Sequence, residues 1–569
     1  MRCNTGLALA LAGLAAGLAG CASGAPPPPE DKAPAAGAEG RPEYGGSFRM
    51  RVAGAEIPSF DPRQEGITGQ YFHVNGLVYS AMMRYPYAKY ATSAPMECNL
   101  CERWEQPDPS TYVFHLRQGI KWHNKPPVNG REFVAEDVRW TMTDGEGVDG
   151  KNPRYIRWIR DLSAKQIARI ETPDKYTVRI TLKQPYAPFL LYMGNPYIYH
   201  FVPREAVAAA RSDTNKEGFL GLGLNDTSLA IGTGPFTLKE YTPKVGGVLA
   251  RNPDYFRKAA NGDSLPYLDE VRLLFITDHK LRTNAMLAGQ LDTGGIYLDD
   301  FDINKLEKDG RFSIDNTLTG FGPFVLFNTS GKPFDDARLR RAFHLIVDRY
   351  EVMKPTNMRL TQVERWTPSA WEPYGTPLEV VEKLPGYRSD KNEDHAEARK
   401  ILKDLGLDGG FKFNLAVQTG GQDEQFATVL QAQFKAFKID ANIEVLDRAT
   451  TLQRRVDGAF EAMMQPQICS GPDPEDCIQE FTRDARENSK FSHPELDRLD
   501  ALQAQALDAK ERAKIFGQIY DLLDQQQPSL SLFRSPWYTA WRKEFQGYMA
   551  QPHTEGIIHW VDQVWRKKS

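Results

Sequence analysis

The chain is 569 residues long, 41% of them hydrophobic, with a formal net charge of -4. That is enough apolar material for two or more buried cores, and the near-neutral balance leaves no basic footprint for nucleic acid. No apolar stretch reaches the length needed to cross a bilayer.

The N-terminus reads as an export leader. Arg2 precedes an apolar run of Leu, Ala and Gly over residues 7–19, too short to span a membrane and suited to the core of a secretory signal peptide. It ends in Leu18-Ala19-Gly20-Cys21, which looks like a bacterial lipobox, so residues 1–20 are expected to be removed and Cys21 to carry lipid. Two or three acyl chains anchor a protein stably where one does not. An ordinary leader with an incidental cysteine is the plainer alternative. Residues 21–43, rich in Pro and Ala, form a tether without apolar periodicity. The chain is therefore expected to be exported and lipid-anchored to the cell membrane, on its periplasmic or extracellular face.

Four cysteines remain in the mature chain: Cys98, Cys101, Cys469 and Cys477. In an oxidising compartment they suggest two disulfides, most simply Cys98 with Cys101 and Cys469 with Cys477, although four cysteines allow three connectivities. A redox motif or half a zinc site competes for the first pair. Zinc wants a second close pair or a paired His nearby, and a redox pair normally opens a helix, whereas this one precedes a turn and a strand.

In chain order, residues 45–52 read as a strand and 70–83 as a helix whose first turn carries Tyr71 and Phe72. Residues 112–117 alternate, with Val113, His115 and Arg117 on one side, as a half-buried strand does. Gly119 ends it; a short strand at 120–123, a Pro126-Pro127 loop and a Gly130 turn follow. The spacing then predicts a helix over 132–142, with Asp137 and Arg139 facing solvent while Phe133, Val134, Val138 and Trp140 pack. Residues 176–182 form another alternating strand, 202–210 a helix and 212–225 a Gly-rich loop. Gly232-Thr233-Gly234-Pro235 is a turn and not a phosphate-binding loop, because no Lys-Ser/Thr and no helix follow it. A strand at 271–277 leads to Asp278 as N-cap and a helix over 280–288 closed by Gly289. A strand at 321–328 precedes Asp335-Asp336, which caps a helix over 337–347. From there helices (395–405, 424–437, 450–457) alternate with strands (411–418, 441–446, 459–465), a pattern that argues for parallel βα units. Helices over 494–506 and 509–526 close the chain.

The strand followed by Leu116-Arg117, Gly119, Trp122-His123, the Pro/Gly loop and Ala135-Glu136-Asp137-Val138 resembles the solute-binding proteins of ABC importers in extracellular family 5, the oligopeptide, dipeptide and nickel-binding group. Further matches come in the expected order: GTGPF at 232–236, NPDYF at 252–256, LPYLDEV at 265–271, LRTNAMLAGQLD at 281–292, PFDDARLRRAFHLIVDR at 333–349 and AEARKILKDLG at 396–406. The resemblance covers nearly everything from about Gly45 to the C-terminus.

It implies an α/β chain with a periplasmic-binding-protein type II-like two-lobed fold and an extra domain inserted in the first lobe. The expected division is 44–88, 200–295 and 527–569 for the first lobe, 89–199 for the extra domain and 296–526 for the second lobe. Peptide-binding members carry an aspartate three residues ahead of an Asp-Pro, and that aspartate pairs with the ligand's α-ammonium. Anchored on Asp473-Pro474, the position falls on Ser470, which brings no charge to a buried cation. Either Asp473, Glu475 or Asp476 takes over, or the ligand is not a free-amine peptide. The resemblance also places Tyr71 at the cleft edge, and Trp366, Trp371 and Tyr374 in a Pro-rich pocket-lining loop where exposed aromatics favour binding. His123 belongs to the shared motif and reads as structural.

HExxH, GxSxG and Walker signatures are absent, and no histidines stand at metal-ligand spacing on one helix. The expected function is non-enzymatic and needs no cofactor or metal. A monomer captures a peptide or similar small polar solute between two lobes and hands it to a membrane permease driven by an ATPase. An envelope lipoprotein of the same fold acting as sensor or chaperone is the alternative. A gene neighbourhood of permeases and ATPases, as against a receptor kinase, separates the two.

Overall fold

A computed structural model describes residues 41–567, apart from 53–56, 58–59, 63–70, 87–95, 144–165, 196–199, 211–226, 296–297, 299, 319, 357–360, 420–421, 470–472, 483–489 and 550–559. The leader, Cys21 and nearly all of the tether lie outside the described residues, as do Ser470 and the side chain of Tyr71.

Two sheets carry the chain. Seven strands run in the order Phe312–Leu318, Pro536–Arg542, Thr293–Gly295, Ser47–Val52, Glu270–Phe275, Gly246–Arg251 and Phe236–Thr242. Ser47–Val52 is parallel to both of its neighbours, so its two faces can be covered by later helices. The second sheet has the order Ile439–Leu446, Phe411–Gln418, Ala462–Cys469, Gly320–Phe327 and Ser529–Ser531. Its first three strands are parallel, as the helix-strand alternation requires, and its last two are antiparallel additions. A third, four-stranded antiparallel sheet is built from Cys101–Asp108, Thr111–Leu116, Thr177–Leu182 and Ile167–Asp174.

The sequence placed the passage between sheets at residue 296, but it falls later. Phe312–Leu318 still pairs with Pro536–Arg542 in the first sheet, and Ser529–Ser531 still pairs with Gly320–Phe327 in the second. The chain thus leaves one sheet between 318 and 320 and returns between 531 and 536. Pairing decides this: both segments have strand character, and only the partner tells which sheet each joins.

The packing under the second sheet is aromatic. Phe334 stacks on Phe327 at 4.7 Å and meets Phe343 and Phe413 edge-on, and Phe343 lies 4.7 Å from Phe434. The helix caps fall where the sequence put them: Asp278 accepts from Leu281 N and Asp336 from Arg338 N.

Three local expectations change. The first helix is Tyr71–Val78 and stops short of Met83, which enters a two-residue strand pairing Cys98. The segment 120–123 makes a single bridge, Lys121 to Glu132, and not a strand. Asp137 does not face solvent. It is buried, accepts from both terminal nitrogens of Arg131 at 2.8 and 2.7 Å, and caps the helix Ala135–Thr143 through Val134 N at 3.0 Å. Arg131, drawn between Asp137 and Glu205, makes that burial affordable.

His123 joins two of the sequence motifs. Its Nε2 donates to Gly234 O at 3.0 Å and its Nδ1 accepts from Gly232 N at 3.3 Å, while its own backbone N donates to Gly232 O. Burial pushes its pKa down to about 4, so the ring stays neutral and keeps that tautomer.

Where the two crossings run side by side, the backbones touch. A Cβ on Gly322 would meet Phe533 O at 1.9 Å, so no side chain fits there. Gly322→Ala is expected to destabilise the protein by roughly 1–3 kcal/mol, read as a lower urea midpoint with unchanged slope. An unaltered midpoint would show that the crossings are not this close.

Candidate functional site

A cavity of about 310 Å³ opens where the two sheets meet. The second sheet supplies Phe321, Pro323, Gln418, Met464, Gln465 and Pro466; the returning segment supplies Phe533 and Ser535; and Trp537 comes from the first sheet. Gln422, Asp423 and Phe426 close it from the start of the helix Asp423–Lys435. The volume is that of a small-molecule site.

The strand register explains the shape. Pro323 stands opposite Pro466 in the antiparallel ladder between Gly320–Phe327 and Ala462–Cys469. Pro323 O accepts from Leu532 N of the returning segment at 3.1 Å, so the rung between the two prolines is a non-hydrogen-bonded one and their missing N–H groups cost that ladder nothing. The rings of Phe321 and Trp537 lie 6.0 Å apart, and those of Phe426 and Phe533 meet edge-on at 5.3 Å. The walls are aromatic with amide groups set between them.

The loop that the sequence singled out lies beyond Cys469. Asp473 is 2% exposed and spent inside the protein: Arg512 Nη1 and Nη2 donate to its two oxygens at 2.6 and 2.8 Å, and Glu475 N donates to Oδ1 at 2.9 Å. Arg512 also donates to Gln503 Oε1 at 2.7 Å. Burial opposes the guanidinium charge, but Asp473 more than offsets it, and the pKa of Arg512 is raised. The aspartate expected to answer a ligand's cation thus already has one.

Glu475 stands 3.8 Å from the same guanidinium and accepts from Tyr186 Oη at 3.1 Å. Burial first, then the charges of Asp500 and Asp473, push its pKa up to about 8. With Ala187 N donating to Ala504 O at 2.7 Å, this contact ties the chain just after the four-stranded sheet to the second half of the molecule. Asp476 is likewise buried.

The disulfides form as expected, Cys98 with Cys101 and Cys469 with Cys477. The second brackets the Asp473 loop. Trp366 and Trp371, expected as exposed loop aromatics, are both fully buried. Trp371 packs on the Cys469–Cys477 bridge; Trp366 Nε1 donates to Asp524 Oδ1 at 2.8 Å and its ring meets Phe481 edge-on at 5.5 Å. Tyr374 lies under the Arg512 guanidinium, 5.5 Å from its ring centre. The loop's aromatics brace the ion pair. Neither Trp366 nor Trp371 is among the residues of the cavity wall.

Reading along the sequence missed the wall itself. Gln418, Asp423, Gln465 and Trp537 carry no motif and converge only through strand pairing. Arg512 is 39 residues from Asp473.

Residues 95–489 match the family described as bacterial extracellular solute-binding proteins, family 5 middle. The di/tripeptide-binding protein 2 of Pseudomonas aeruginosa is 24% identical over 515 residues, 84% of this chain and 90% of that one. Among solved structures, an ABC transporter-associated periplasmic binding protein of Helicobacter pylori in complex with the peptide STSA superposes with a TM-score of 0.75 at 21% identity, covering 92% of this chain and 99% of its own. A binding protein from A. tumefaciens R10 in complex with agropinic acid reaches 0.72 at 21% identity, over 92% and 99%. The chain belongs to the family 5 bacterial extracellular solute-binding proteins, and its two lobes with an inserted extra domain are the fold of that family.

Arg512→Met leaves Asp473 charged and buried without a cation and is expected to cost roughly 3–5 kcal/mol. The double variant Asp473→Asn, Arg512→Met should lose clearly less than the single one, because no charge is stranded. Chemical denaturation of both decides it; equal losses would mean that the pair is not coupled.

Proposed function

We propose that this chain is the substrate-binding subunit of an ABC importer, lipid-anchored through Cys21, that captures a peptide or related small polar solute between its lobes. Export by the leader and retention by the acylated cysteine place it outside the cell membrane, where residues 21–43 let the body move near a permease. An ATPase on the inner face drives transport, and the protein performs no chemistry on the solute.

The observation that carries this reading is the coincidence of family membership with a cavity of about 310 Å³ at the junction of the two sheets. A solute there touches both lobes only when they are closed. Its binding energy then shifts the population toward the closed form, which is the form a permease must recognise. The names of the relatives favour di- and tripeptides. Ser470, and a structural neighbour that holds agropinic acid, favour a solute that departs from the simplest peptides. Glutamine amides and aromatic walls suit either.

Titration of the mature chain with di- and tripeptides is expected to raise the melting temperature by several degrees, as binding to the native state alone requires, and to lower the radius of gyration in solution scattering. Cells lacking the chain should lose uptake of the same labelled solute. A bound solute that leaves the scattering profile unchanged, or uptake that persists without the chain, would contradict the importer reading.

A further inference from the structure

Asp423 is the one charged residue among those of the cavity wall; the other lining residues are Phe, Pro, Gln, Met, Ser and Trp. It makes no hydrogen bond or ion pair among the described residues. It is half-buried, and burial pushes its pKa up. The carboxylate therefore pays a desolvation cost that no side-chain partner among the described residues returns. The acidic groups of the loop after Cys469 differ in this respect. Asp473 is held by Arg512, and Glu475 by Arg512 and Tyr186. Asp137, farther off, is held by Arg131.

Resting on the solute-binding reading above, we propose that Asp423 is the counter-charge for a protonated amine of the solute, so that the cavity selects small cationic or zwitterionic molecules. Two features of the wall act with it. Phe321 and Trp537 put two aromatic rings, 6.0 Å apart, in the wall, and π systems of this kind attract an ammonium. Gln418 and Gln422 carry amide oxygens that can accept from its remaining N–H groups, whereas Gln465 Oε1 already accepts from Arg455 Nη1 at 3.3 Å. An anionic solute would meet an unpaired carboxylate instead, which gives the site its discrimination. Asp423 does this from the first residue of the helix Asp423–Lys435, fixed by the packing of Phe426 on Phe533 and not by a mobile loop.

The test is calorimetric titration of the wild-type protein and of Asp423→Asn with a matched panel: dialanine and trialanine, their N-acetyl forms, spermidine, sucrose and citrate. Circular dichroism melting confirms that the near-isosteric variant folds. The expected result is that Asp423→Asn weakens the amine-bearing ligands by at least roughly 30-fold and leaves N-acetyl forms unchanged. If the wild type ignores both peptides but binds spermidine and loses it in Asp423→Asn, the role of Asp423 stands and the peptide reading fails. If peptides bind equally to both proteins, the peptide reading stands and the role of Asp423 is overturned. A wild type that takes only sucrose, citrate or the acetylated forms overturns it as well.

Discussion

Arg534 pins the returning segment to the second sheet and to the loop that braces it. Its side chain is fully buried where the chain returns from the second sheet to the first. Nη1 donates to Gly320 O at 2.8 Å, on the outgoing strand, and Nη2 to Trp366 O at 3.0 Å, on the bracing loop. Its backbone pairs in both directions with Gln362, and the next residue, Ser535, donates to Phe321 O at 3.2 Å. A guanidinium in that position is expensive, and burial draws its pKa down to about 10; carbonyl oxygens are the partners that make it tolerable. With Gly322 against Phe533 O, the two crossings have almost no freedom to slide. Phe321 and Trp537, from the second and the first sheet, meet in the cavity wall beside these crossings.

Charge placement gives the site its character. The Asp473 loop, bracketed by a disulfide and braced by Trp371 and Tyr374, looks in sequence like the ligand's electrostatic partner. In three dimensions its carboxylate closes on Arg512. The cavity wall carries one carboxylate, Asp423 on another element, that has no ion-pair partner among the described residues. A binding protein gains from such an arrangement: a charge whose partner is the solute costs stability when the cleft is empty, and recovers it when the cleft is filled.

Much of the fold was legible because it rests on local periodicity. The strand Phe411–Gln418 and the helix Ala509–Gln526 fall on the residues expected, and Asp278 and Asp336 cap the helices they precede. Short-range chemistry sufficed for the two disulfides as well. What failed did so through long-range partners. Asp137 has the helical position of a solvated carboxylate, yet Arg131 and the neighbouring Trp122 draw it inside. Trp366 and Trp371 sit in a Pro-rich loop that reads as exposed, but Asp524 and the Cys469–Cys477 bridge lie behind it. The cavity wall was illegible for the same reason: Phe321, Gln418, Gln465 and Trp537 belong to four strands, and only pairing and the double crossing bring them together.

The account stands or falls on what the cleft holds in the cell. Native mass spectrometry of the protein isolated from its own host, followed by denaturation and identification of anything released, reads this without a choice of candidate ligands. The account predicts one small molecule per chain, carrying at least one amine protonated at neutral pH. Release of an uncharged or purely anionic molecule, or a protein that carries only a macromolecular partner, would contradict it.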